Sequence, residues 1–105
     1  MAKNNAQKVL MNLLRIAVEK EYEIEIRSNK NYKTQLGPTK DYEYVRNNYR
    51  KYSNATVIFT DSATKKICGR YWYNISENKI QLNMYIGEGD VSLLSEAQFL
   101  TDIGY

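Results

Sequence analysis

The 105 residues predict a small α+β domain, and three observations carry that reading. Polar and apolar residues alternate strictly in Tyr22–Ser28 and again in Lys79–Ile86, the period of strands with one buried face. Apolar residues at helical spacing fill the stretch before the first of these. Between them, Thr39 to Tyr52 repeats the helical spacing with aromatic residues. The expected order is helix, two strands, helix, three strands, helix (α-β-β-α-β-β-β-α). This makes one domain over residues 1–105, with helices covering an antiparallel sheet.

The first helix is expected over about Asn5–Lys20, with Asn4 or Asn5 as N-cap. Ala6, Val9, Leu10, Leu13, Ile16 and Ala17 form its apolar face, and Lys8, Asn12, Arg15 and Glu19 its polar one. Packing on the sheet accounts for this pattern more simply than partner binding. Tyr22–Ser28 follows, read as an edge-type strand with a charged outer face. Asn29-Lys30-Asn31 turns the chain, since Asn tolerates the left-handed conformation. Tyr32–Leu36 returns as a second strand with Ile26 opposite Thr34 and Ile24 opposite Leu36, and Gly37-Pro38 closes the hairpin.

Thr39 or Asp41 can cap the second helix, which reaches about Tyr52. Tyr42, Val45, Tyr49 and Tyr52 form a stripe better suited to core packing than to a stacking platform. Arg46, Asn47, Arg50 and Lys51 occupy much of the remaining circumference. Ala55–Thr60 begins the central meander, with Val57 and Phe59 on one face and Ile58 on the other. Gly69 within the next strand, about Lys66–Ile75, signals a bulge or the close approach of another element.

The face of that strand depends on the loop at Glu77-Asn78. A two- or four-residue loop turns Tyr71 and Tyr73 inward and leaves Arg70, Trp72 and Asn74 outside with Asn83 and Tyr85. A three-residue loop reverses the faces. The first register is preferred because it buries Ile67 and Ile75 and leaves Arg70 in water. Gly87-Glu88-Gly89-Asp90 reads as a polar turn whose acids would repel a phosphate. A last helix is expected near Glu96–Ile103, with a capping box from Ser95 to Gln98, a staple between Leu94 and Phe99, and Gly104 at its end; an earlier start at Asp90 is the alternative.

The chain carries +3 overall, unevenly distributed: residues 1–80 hold all 15 Lys and Arg, and residues 81–105 hold only acids. Such polarity can orient a protein on a charged partner. One Cys, Cys68, forms no internal disulfide and favours a reducing, cytoplasmic setting. No uninterrupted signal-type or membrane-length run is present. Abundant Asn, Lys, Tyr and Ile suggest a low-GC bacterium or one of its phages or mobile elements.

There is no histidine, which removes the commonest general base and metal ligand, and a lone Cys lacks its activating partner. No catalytic or metal-binding residues and no cofactor are therefore assigned. A remote enzymatic reading is a divalent-metal nuclease built from Asp61, Glu77 and Lys79. The leading expectation is a non-enzymatic protein-interaction module contacting another protein or a ribonucleoprotein. A small phage or mobile-element inhibitor of host defence, of anti-CRISPR type, has this size and composition. The alternative is a nucleic-acid binder using a basic and aromatic sheet face. The expected contacts are Arg70, Trp72, Tyr85, Lys65, Lys66, Arg46 and Arg50.

Overall fold

Helical periodicity in the first segment becomes α1, Ala6–Glu19, whose residues Val9, Leu10, Leu13, Leu14, Ile16 and Ala17 are all buried. The computed structural model describes residues 6–76, 79–85 and 92–105, apart from the side chains of 79–85 and 92. The first-helix cap at Asn4 or Asn5, and the turn at 87–90, lie outside the described residues. β1 (Tyr22–Ser28), β2 (Thr34–Thr39), α2 (Tyr42–Asn48), β3 (Asn54–Asp61), β4 (Ile67–Ser76), β5 (Lys79–Tyr85) and α3 (Ser92–Asp102) follow. The element order is the expected one. The strands form one antiparallel sheet in the order β2-β1-β3-β4-β5.

The core lies on one side of this sheet. Ile24 and Ile26 from β1, Val57 and Phe59 from β3, and Tyr71 and Tyr73 from β4 meet the apolar faces of α1, α2 and α3 there. The expected stripe on α2 packs as core: Val45 and Tyr49 are buried, and Tyr42 and Tyr52 lie against the same cluster. Asp41 is the cap, its Oδ1 accepting from Tyr44 N at 3.1 Å. The helix then tightens into a 3-10 turn over Tyr49–Lys51. The Tyr73 hydroxyl donates to the Tyr49 carbonyl oxygen at 2.8 Å. Burial, reinforced by Tyr49 and Tyr52, pushes that phenol well above its ordinary pKa.

β1 is not an edge. It lies between β2 and β3, so its backbone hydrogen-bonding groups are satisfied within the sheet, and neither β1 nor β3 is open to pair with another chain. The edge on this side is β2, where Pro38, lacking an N–H, interrupts no interior ladder. The β1–β2 register also differs from expectation: Ile26 faces Leu36, Arg27 faces Thr34 and Ile24 faces Thr39. Ser28 pairs with Lys33 across a longer loop, in which Tyr32, not an Asn, takes the left-handed conformation (φ 58°). Gly37-Pro38 is a bulge within β2, with a cis peptide bond, and not the end of the hairpin.

The central hairpin follows the preferred register. Ser76 pairs with Lys79 across a two-residue connection, and Tyr71 and Tyr73 are buried while Arg70, Trp72 and Asn74 are half-buried on the other face. Gly69 sits at the expected bulge: Phe59 faces Gly69 but Thr60 faces Ile67, leaving Cys68 as the extra residue. That extra residue shifts Ile67 to the outer face, so it is half-buried and not core as expected. Glycine is required beside the Tyr71 ring, because a Cβ on residue 69 would lie 2.7 Å from its Cε2. Ile75 is half-buried against the core. Ile58 is buried on the outer face with no described helix above it, flanked in register by Glu25 and Arg70.

α3 begins at Ser92, earlier than Ser95, so Ser95 is helical and the expected capping box does not form. Leu94 packs against the core while Phe99 is exposed, so the staple is absent too. Gly104, at φ +104°, does end the helix: Tyr105 N donates to Leu100 O and Gly104 N to Thr101 O, the paired bonds of a Schellman motif.

The early start lays α3 along α1 and changes the role of Asn12. Expected on the polar face, Asn12 is only 2% exposed. Its Nδ2 donates to Thr101 Oγ1 at 3.0 Å, and the Thr101 hydroxyl donates to Ala97 O at 2.8 Å. Asn12→Ala should cost about 1–2 kcal/mol, because it leaves the buried Thr101 hydroxyl with one partner fewer. Urea denaturation should show a lower midpoint at unchanged slope.

Candidate functional site

The described helices pack on the core side, no described helix covers the opposite sheet face, and the β1–β2 loop contributes Tyr32 to that face. Tyr32 from this loop, Thr56 from β3 and Arg70 and Trp72 from β4 line a hollow of about 250 Å³. Alternation along β4 places Arg70 and Trp72 on this side, and register sets Thr56 directly opposite Trp72. The Trp72 indole Nε1 donates to Asn54 Oδ1 at 3.0 Å. On the rim, the Arg27 guanidinium lies 4.7 Å above the Tyr32 ring.

Among the described residues, both carboxylates of β1 have partners. Arg27 Nε donates to Glu25 Oε2 at 2.8 Å, and the Thr34 hydroxyl donates to the same carboxylate. Lys65 Nζ lies 3.5 Å from Glu23 Oε2. The Arg70 guanidinium makes no ion pair or hydrogen bond among the described residues, and its Nε is buried without a partner. A buried donor left unsatisfied costs free energy, and an incoming acceptor on the same guanidinium offsets part of it. An aromatic wall beside an uncompensated arginine suits a planar or anionic group of a partner.

Burial would raise the Glu25 pKa, but the hydrogen bonds from Arg27 and Thr34, with the Arg27 charge, outweigh it and hold the carboxyl below the ordinary range. The hydrogen bond to Glu25 correspondingly raises the Arg27 pKa. A depressed native pKa stabilises the fold above the unfolded value of about 4.3 and ceases to do so as pH falls through the native value. Stability should therefore hold down to about pH 5 and fall on further acidification. Glu25→Gln should be less stable at neutral pH and show a shallower acid limb, measured by thermal melts across pH.

The expected contact residues do not form one site. Arg70 and Trp72 come together in the hollow, while Tyr85 pairs with Arg70 in register and its side chain lies outside those described. Lys65 and Lys66 are exposed in the β3–β4 turn, about four strand residues, or roughly 13 Å, beyond the Thr56–Trp72 pair. Arg46 and Arg50 lie on the helical side, with α1. Tyr32 and Thr56 were not expected; a long-range loop position and a register brought them in.

Asp61 and Lys79 are held apart. Lys79 faces Ser76, beyond the Asn54–Asn74 pair, whereas Asp61 is at the far end of β3, about 23 Å from Asn54. Glu77 lies outside the described residues. Asp61 Oδ1 accepts from Ala63 N at 2.8 Å and Thr64 N at 3.2 Å, a turn-forming role. Among the described residues no cluster of three or more His, Cys, Asp or Glu could hold a metal, and no helix is long and apolar enough to cross a membrane. Comparison with protein-family models, curated proteins and solved structures gives no match.

Proposed function

We propose that this chain is a non-enzymatic interaction module that holds another protein, free or within a ribonucleoprotein complex, against its open sheet face. The observation that carries the reading is the Arg70 guanidinium, unpaired among the described residues, beside the Trp72 indole in the hollow. Arg and Trp are among the residue types that dominate interface energetics when they sit in a concave, water-excluding setting. A low-GC composition and a single Cys support a cytoplasmic inhibitor encoded by a phage or mobile element and directed at host defence.

One observation weighs against the alternative in which this face binds nucleic acid: both turn lysines stand away from the hollow. Affinity capture from the source cell separates the readings. A single protein should be recovered with or without nuclease treatment, and Arg70→Ala should lose it; disappearance of every partner after nuclease would overturn the proposal.

A further inference from the structure

On the helical side, two adjoining recesses of about 320 and 350 Å³ run between α1 and α2 and share Gln7, Met11 and Arg46. Lys8 and Arg15 from α1, Arg46 from α2 and Arg50 from the 3-10 turn line them, and no carboxylate side chain does among the described residues. Two of these arginines are held in place by tyrosine rings. Arg15 lies 5.5 Å from the Tyr42 ring centre and donates to its hydroxyl at 3.4 Å. Arg50 lies 5.7 Å from the Tyr49 ring centre and donates to Gln7 Oε1 at 3.4 Å. Arg46 has only an exposed contact with Glu43 at 3.8 Å, of the kind that water and salt largely screen. The acids of α3, Glu96 and Asp102, do not line either recess.

We infer that this α1–α2 groove is a second binding site, for the phosphodiester backbone of a single-stranded nucleic acid. Among the described residues four cations line it and no carboxylate side chain does, and arginine forks match phosphate oxygens. The exposed Tyr105 ring lining the same recess offers a face for an unpaired base, the combination of charged groove and stacking surface that single strands use. A duplex keeps its bases stacked inside and cannot use that ring. An acidic helix would need an apolar seam, and among the described residues Met11 is the only aliphatic side chain lining the groove.

Fluorescence anisotropy with a labelled oligothymidine tests this directly. Affinity should fall roughly fiftyfold between about 50 and 200 mM salt, as about four single-strand phosphate contacts require. The Arg46→Gln, Arg50→Gln double variant changes two exposed side chains, so its circular dichroism should match the parent. Its affinity at low salt should fall at least tenfold, with a shallower salt slope. Its nuclease-resistant protein partner, which depends on Arg70, should be retained. Salt-independent binding, unchanged affinity in the variant, equal affinity for a duplex, or displacement by polyglutamate at matched charge would each overturn the inference.

Discussion

Gly37→Ala should destabilise the fold by about 2–5 kcal/mol, lowering Tm by roughly 10–30 °C for a domain of this size. Gly37 has φ +84°, a region costly for any residue with a Cβ. An added methyl would also fall on the Ile24 carbonyl oxygen and lie 3.1 Å from Thr39 N and 3.3 Å from Glu25 Cα. All three neighbours are backbone atoms, so no side chain can swing aside. The collision lies where β2 bulges against β1, next to Glu25 and the Arg27 that lies over Tyr32. The surviving native fraction should therefore also bind its partner more weakly if the rim of the hollow is displaced. Differential scanning calorimetry gives the first quantity.

Trp72→Ala and Arg70→Ala should each weaken partner binding by at least about thirtyfold, the 2 kcal/mol typical of an interface hot spot. Trp72 loses a ring that Asn54 holds in place, so the free protein gains little by relaxing. Arg70→Lys should recover only part of the loss, because an ammonium keeps the charge without the planar fork. Charge reversal at Lys65 and Lys66 should change affinity much less, since both lie outside the hollow. Titration calorimetry with the captured partner measures all four variants.

Much of the fold was legible because one-face burial writes a period into the sequence. The alternation of Tyr22–Ser28 was readable, and so was the face assignment of β4, which a two- or four-residue loop gives alike, and with it the outward placement of Arg70 and Trp72. Gly69 announced its bulge, yet the consequence for Ile67 follows from which residue is extra, and that depends on packing against Tyr71. Asn12 shows the limit more sharply. Local spacing puts it on a polar face, and only a helix arriving from residues 92–102 makes that face an interior. Likewise, the edge of the sheet is decided by β3 pairing with β1, a contact between distant segments. The hollow inherits both kinds of information: two of its residues come from a legible strand, and Tyr32 and Thr56 from long-range assembly.

The central claim is that the partner meets the open sheet face at this hollow. A photoreactive residue substituted for Tyr32, 46% exposed on the rim, would report that contact in cell extract. The same group at Phe99, 62% exposed on α3, serves as the comparison. Irradiation should join the captured protein to the chain from position 32 and not from position 99. An adduct from position 99 with none from position 32 would place the partner on the helices and contradict the account.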